Sequence, residues 1–370
     1  MVRYGIVGIG AMGREHAENL RNIPGARVVA VSDPDENSIA QAKSAIGDDL
    51  LCFSNHQELL ESNQIDAIII ATPNFTHVDI LKDALETDLA VFIEKPLCTT
   101  IEDCSKVIEW SRGRKSLVWM GLEYRYMPPV AELIKVVHSG GVGNVHQVAI
   151  REHREPFYPK VGNWNRFTEK TGGTLVEKCC HYFNLMDHIT KENPIRVFAS
   201  GGQRVNFLNE SYNGQRADML DSAYVILEYP SGARAMLDLC MFVENTIDKE
   251  QISVVGDEGK VESFLPSLEV RYGRRADVGN FSSWDHRASE AKSIDIKKVW
   301  DPEIKYQGFH YGASYIEHTK FHQAIESGSL IAEVSLEEGL RSVATGLAAQ
   351  KSIAEGRPVL MKEILPVGWN

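Results

Sequence analysis

"RYGIVGIGAMGREHAENL", residues 3–20, decides the fold. An apolar, β-branched run ends in glycines, and a helical pattern follows. Between the two lie Gly8, Gly10 and Gly13 in GxGxxG spacing. The first glycine permits a tight turn, the second lets the backbone approach a pyrophosphate, and the third lets the helix pack closely on the strand. "REHAENLRNI" (14–23) follows with helical character, and the unbonded N–H groups and partial positive charge at its start suit a phosphate, with Ala11 and Met12 of the turn beside it. The next strand, "ARVVAVSD" (26–33), ends in Asp33, twenty residues beyond Gly13. A carboxylate there accepts hydrogen bonds from ribose hydroxyls. It also repels a 2′-phosphate, and "PDEN" (34–37) supplies no Arg to neutralise one. NAD is therefore expected rather than NADP.

Further along, strand-like and helical runs alternate. "IDAIIIAT" (65–72) is the unbroken apolar strand of a parallel sheet buried on both faces. "HVDILKDALETD" (77–88), "AVFIEKP" (90–96), "TIEDCSKVIEWSRGR" (100–114) and "LVWMGLEYR" (117–125) continue helix, strand, helix, strand. This pattern predicts an α/β, doubly wound Rossmann domain over 1–122. Ligands of such sheets bind beyond the carboxyl ends of the strands. Two strand-end segments should then border the cofactor: Thr72, Pro73, Asn74 and His77 in "TPNFTH", and Glu94, Lys95 and Pro96 in "EKP".

At 370 residues the chain is long enough for two domains, the second being 123–370. The net charge of −12 argues against a nucleic-acid partner. No apolar run is long enough to span a membrane, and the N-terminal run is too short for a signal peptide, so a cytoplasmic protein is expected. The six cysteines are scattered and form no CxxC pair. Buried free thiols and no metal site are the expectation.

"TLVEKCCHYFNLMDH" (174–188) concentrates ionisable groups. On a continuous helix Glu177 and His181 are at i and i+4 and share one face, which Asn184 extends. A carboxylate beside an imidazole fixes its tautomer and steadies its charged form, as a proton-accepting His requires. Lys178 lies one step round; it either pairs with Glu177, snorkels to the surface, or adds a second cation to the pocket.

"GIGAMG", Asp33, "TPNFTH" and "EKP" together resemble the Gfo/Idh/MocA family of nicotinamide-dependent oxidoreductases. The likeness continues through "EYRYMPPVAELIKVVHSGGVGNVHQVAIRE", "TGGTLVEKCCH" and "VSLEEGLRSVATGLAAQKSIAEGRPV". It cannot be placed over 205–220 and 274–310. The resemblance implies an α+β second domain with a large, mostly antiparallel open sheet. "RVFASGGQRV", "SAYVILEYPSGARAMLDLCMF", "EQISVVGDEGKVES" and "LEVRYG" agree with strands joined by turns. It also implies a closing helix near 336–355, with Ser335 and Glu338 in capping-box spacing, and a homodimer or homotetramer formed through the sheet. Carried over from the family, Lys95, Glu177 and His181 are the catalytic residues. The reaction implied is oxidation of a secondary alcohol: His181 takes the hydroxyl proton, hydride passes to the nicotinamide, and Lys95 stabilises charge on the oxygen. Here the acid is Glu rather than the more usual Asp, and it is followed by Lys178 rather than an apolar residue.

"REHREPFYPKVGNWNRF" (151–167) interleaves Arg151, His153, Arg154, Lys160 and Arg166 with aromatics. A ring polyol stacked on Trp164, with Asn163, Asn165 or Arg166 on its hydroxyls, fits this stretch. An anionic group on the sugar would account for the cations. Tyr124 and Arg125 are expected to face the same cleft. The function expected is an NAD-dependent dehydrogenase of a sugar, inositol or sugar acid. The alternative is a redox-neutral, NAD-dependent glycosidase acting on an anionic glycoside such as a sulfoquinovoside.

Overall fold

The computed structural model describes residues 1–278 and 294–369, so part of the 274–310 stretch that resisted placement lies outside the described residues. The first unit alternates as its sequence predicts. Strands β1 (Val2–Val7), β2 (Ala26–Ser32), β3 (Leu51–Phe53), β4 (Ala67–Ile70), β5 (Ala90–Glu94) and β6 (Val118–Gly121) alternate with helices α1 (Ala11–Arg21), α2 (Glu36–Ile46), α3 (His56–Glu61), α4 (His77–Leu85) and α5 (Ile101–Ser111). All pairings are parallel, in the order β3-β2-β1-β4-β5-β6. Every residue of β4 and β5 is buried, which is why both read as unbroken apolar runs. The order reverses between β1 and β4, so the crevice beyond their carboxyl ends lies between the Gly8 turn and the 72–77 segment.

After helix α6 (Pro128–His138) the chain enters a nine-stranded sheet. Its strands are β7 (Val145–His153), β8 (Arg196–Gly202), β11 (Ser222–Glu228), β12 (Arg234–Cys240), β13 (Glu250–Gly256), β14 (Gly259–Leu265), β15 (Glu269–Arg274), β16 (Asp295–Lys298) and β17 (Val359–Leu360); β9 (Ser211–Tyr212) and β10 (Gln215–Arg216) form a small separate pair. Every pairing in the large sheet is antiparallel except β7 with β12. Short helices α7 (Thr168–Thr171) and α8 (Thr174–Glu177) lead into α9 (Cys180–Thr190), and α10 (Ala313–Ser327) and α11 (Leu336–Glu355) follow the sheet. Ser335 and Glu338 close the capping box at the start of α11.

The sheet has two unlike faces. Along β11, Ala223, Val225 and Leu227 are buried while Tyr224 and Ile226 are exposed. The buried face packs on α9 and α11. On the other face Phe198, Ile226 and Met236 lie side by side on three adjacent strands, each at least 37 % exposed. Among the described residues no helix is long and apolar enough to cross a membrane.

Candidate active site

The glycine turn has the shape that a dinucleotide requires. Gly8 is left-handed, at φ +84°, and a Cβ there would stand 2.7 Å from the Ala71 carbonyl oxygen. At Gly13 a Cβ would stand 2.0 Å from the Gly8 carbonyl oxygen, so the helix meets the strand with no room for a side chain. Gly10 is the reverse: no atom lies within 4 Å of an added Cβ, which leaves open space where a pyrophosphate could approach the backbone. Gly10 caps α1 without a side-chain hydrogen bond, and the first turn, with Ala11 and Met12, holds no acid. The N–H groups of that turn are thus free for an anion. Asp33 closes the crevice from β2, its two oxygens accepting from Ile9 N–H at 2.8 Å and Asp35 N–H at 2.8 Å. These residues fit an NAD molecule, which Gly8, Gly10, Ala11, Met12, Gly13 and Asp33 would hold.

The two strand-end segments are braced against each other. His77 is fully buried, with Nδ1 2.8 Å from the Pro96 carbonyl oxygen and Nε2 3.1 Å from that of Thr72. Burial pulls its pKa down, against the carbonyls that raise it. A neutral ring has one N–H and donates to one of these carbonyls at a time, but both nitrogens lie against backbone, so His77 braces the 72–77 turn against the 94–96 turn rather than facing the cofactor as expected. Thr72 and Pro73 remain half-buried at the crevice. Glu94 is buried, with Oε1 2.9 Å from His16 Nε2. Burial pushes its carboxyl up, but the His16 hydrogen bond and the charges of His16, Lys95 and His310 hold it down at about 2.

Asn74 and Lys95 join this crevice to the second unit. Asn74 is buried and its amide donates to Glu177 Oε2 and to the Thr171 carbonyl oxygen, the latter at 3.0 Å. Lys95 Nζ donates to the Glu177 carbonyl oxygen at 3.0 Å and stands 3.9 Å from Glu177 Oε1. Burial lowers the Lys95 pKa, but the nearby Glu177, Glu94 and Glu123 carboxylates more than compensate and hold it above the ordinary value.

The helix bearing Glu177 and His181 is not continuous. Helix α8 ends at Glu177, and α9 begins at Cys180, after Lys178 and Cys179 shift the axis. The shared face predicted for Glu177 and His181 is lost at that break. Glu177 points to Asn74 and Lys95, while the carboxylate nearest His181 is Glu123, on the turn after β6, with Oε2 3.8 Å from His181 Nδ1. Sequence spacing missed Glu123, although it adjoins Tyr124. His181 is buried and lies flat on the Tyr124 ring, with centroids 3.9 Å apart and 8° between planes. Burial, followed by the charges of Lys95, Lys178 and His310, puts the His181 pKa well below the usual value. Lys178 neither pairs with Glu177 nor snorkels to the surface, but is buried. It pairs with Glu152 at 3.0 Å and donates to the Tyr124 hydroxyl, so it supports the ring under His181.

Three predicted substrate contacts are committed elsewhere. Arg125 is buried and donates to Glu338 Oε1 at 2.6 Å and Asn184 Oδ1 at 2.8 Å, tying the start of α11 to α9. Arg166 is buried between Glu210, at 3.0 Å, and the Phe207 ring, 3.9 Å away. Asn165 is buried and donates to the Tyr158 carbonyl oxygen at 2.8 Å. Asn163, at φ +52°, is half-buried, and Trp164 is buried beneath Lys160 and edge-on to Phe75. Most of the cationic excess is neutralised internally: Arg151 and His153 by Asp238, Arg154 by Glu152 and Glu155. Lys160 alone of those five has no ion pair among the described residues. All six cysteines are free thiols, and no cluster of metal-ligating side chains occurs among the described residues.

The chain is similar to known dehydrogenases along nearly its whole length. The chain is 27% identical to the myo-inositol 2-dehydrogenase of Thermotoga maritima over 98% of this chain and 100% of that protein. It is 28% identical to an inositol 2-dehydrogenase of Rhizobium meliloti over 97% of this chain and 98% of that protein. The crystal structure of a probable dehydrogenase from Thermotoga maritima superposes with a TM-score of 0.77 at 25% identity, covering 98% of this chain and 100% of that one. Residues 2–122 match the oxidoreductase family's NAD-binding Rossmann fold, and residues 134–361 match its C-terminal alpha/beta domain. With both of its halves accounted for, the chain belongs to the Gfo/Idh/MocA oxidoreductase family.

Proposed function

We propose that the protein is an NAD-dependent dehydrogenase acting on a secondary hydroxyl of an inositol or sugar. His181 serves as the general base and Lys95 holds the alcohol oxygen. The observation carrying this reading is the contact of Lys95 Nζ with the Glu177 carbonyl oxygen at 3.0 Å. It sets an ammonium from the parallel sheet at the entrance of the helix that bears His181. NAD, when bound, supplies the hydride acceptor. The chain's own residues manage the proton. Burial and the neighbouring charges of Lys95 and Lys178 keep His181 neutral near pH 7, so a ring nitrogen has a lone pair for the hydroxyl proton. Lys95 stays charged and donates to the oxygen as negative charge develops there. Glu177 and Asn74 hold Lys95 and the 72–77 turn in register rather than touching the imidazole.

The relatives' names favour a polyol ring as substrate. Trp164 with exposed Lys160 above it, 4.9 Å from the ring centroid, offers one cation for an anionic substituent. The Phe198, Ile226 and Met236 row supports a homo-oligomer formed through the open sheet. The test is NADH formation over a panel of inositols, neutral sugars and sugar acids. Stoichiometric NADH is expected, and lost in H181A. Failure of every compound refutes the reading; cleavage of a nitrophenyl glycoside without net NADH replaces it with a redox-neutral glycosidase.

A further inference from the structure

Two buried atoms near the base have no hydrogen-bond partner, and they face each other: His181 Nδ1 and Glu123 Oε2, 3.8 Å apart. The other oxygen of Glu123 lies 3.2 Å from His310 Nδ1. His310 is 20 % exposed at its side chain, whereas His181 and Glu123 are sealed, at 2 % and 4 %. The three groups thus form a bent line from the sealed base toward solvent, with the two imidazole centroids 6.4 Å apart. His310 is held there by the cofactor helix. Glu15 of α1 accepts from Tyr306 Oη at 3.1 Å and from Phe309 N–H at 3.0 Å, and so pins the segment that precedes α10.

We propose that Glu123 and His310 carry the proton taken up by His181 out of the active site. This rests on His181 being the base. The protons balance as follows. Neutral His181 carries its proton on Nδ1, directed at Glu123 Oε2. Glu123 is a neutral acid whose Oε1–H is directed at His310 Nδ1. When Nε2 of His181 gains the hydroxyl proton, Nδ1–H passes to Oε2, Oε1–H passes to Nδ1 of His310, and His310 releases its Nε2 proton to water. Each group ends with as many protons as it began, in the alternative tautomer. The 3.8 Å gap must close, as catalytic hydrogen bonds do when substrate binds.

The charges around the line favour this protonation pattern. Burial, then the charge of Glu94, pushes the Glu123 carboxyl up to about 8, against Lys95 and Lys178. Burial and the charges of Lys178, Lys95 and His16 hold His310 down at about 3, against Glu94. Glu317 on α10 also faces Glu123. Ser314 Oγ also lies against His310 Nδ1, at 3.4 Å.

The test uses the full chain labelled with 15N-histidine, with H181N and H310N to assign the rings. The expected spectrum at neutral pH has His181 protonated on Nδ1 and His310 on Nε2. Substitution Glu123→Leu should erase both preferences; Glu123→Gln, which accepts on one side and donates on the other, should restore them. With myo-inositol as probe, E123Q should lower kcat by about tenfold or more and leave KM within about twofold. His181 protonated on Nε2 in the wild type, or unchanged tautomers in E123L, overturns the proposal. So does wild-type kcat in E123Q. Full turnover by H181N refutes the base instead and leaves the tautomer result standing.

Discussion

The Lys95–Glu177 contact is the seam between the two halves, and its strength can be worked out. At 3.9 Å, with an effective dielectric of ~20, the Coulomb energy of the pair is about 4 kcal/mol. Both side chains are shielded, at 18% and 5% exposure, so little of this is lost to screening. Substitution Glu177→Gln keeps an oxygen for the Asn74 amide but takes from Lys95 its nearest carboxylate, with only Glu94 and Glu123 left to act on it; breaking a buried pair in this way costs about 3–5 kcal/mol. At an unfolding entropy of ~2.1 cal/mol/K per residue, the melting temperature should fall by about 4–6 °C. The raised Lys95 pKa fixes the sign with pH. The contribution is present in full below the ordinary lysine value of 10.5 and is lost only as pH rises through the folded-state value. Calorimetry at neutral pH on wild type, E177Q, K95M and the double variant isolates the pair. In the K95M background, E177Q should cost less than about 1 kcal/mol or stabilise, because no stranded charge remains. An equal loss in both backgrounds would refute the assignment of Glu177 as the partner of Lys95.

The glycine turn separates binding from folding: G10A should melt like wild type yet bind NADH at least about tenfold more weakly by fluorescence titration. G13A, whose Cβ would meet the Gly8 oxygen at 2.0 Å, should lose stability as well. Denaturation across pH should show two opposed carboxyl effects. Glu94, lowered from 4.5 to about 2, contributes stability above the unfolded value that is lost as pH falls toward 2, and E94Q should flatten that limb. Glu123, raised from 4.5 to about 8, stays protonated where the unfolded chain has ionised, so stability should decline as pH rises between those values, and E123Q should remove that decline. Ile226→Asp, in the middle of the exposed apolar row, should shift light scattering from oligomer to monomer with NADH binding retained; a monomeric wild type would sink the interface.

Local rules reached the first unit because its determinants are local. The Gly8–Gly13 spacing, the apolar run into β4 and the Asp33 position each lie within one strand–helix unit. The edge strand β3 escaped notice because three residues paired only with the end of β2 are too few for a period. In the second unit, alternation along β8, β11 and β12 was legible from inward Val197, Val225 and Leu237. The break between α8 and α9 was not, since nothing in "EKCCH" forbids a continuous helix.

The site residues that spacing misassigned share one physical cause. Arg125 and Arg166 carry long side chains whose partners, Glu338 and Glu210, lie 213 and 44 residues away. A buried guanidinium must find a carboxylate, and tertiary structure alone decides which one. The same holds for the carboxylate beside His181. A four-residue interval on an unbroken helix would make Glu177 its neighbour, but Glu177 is drawn to Lys95, the stronger cation in reach. The vacancy beside the imidazole is filled from β6 by Glu123, whose other oxygen meets a histidine 187 residues further along the chain. Two carboxyls in one buried cluster cannot both ionise cheaply, and here the cluster divides the work. Glu94, hydrogen-bonded to His16, keeps its charge, and Glu123, without a cation in contact, keeps its proton. A neutral acid beside a neutral imidazole is the arrangement in which a proton can be handed on without stranding a charge in the interior.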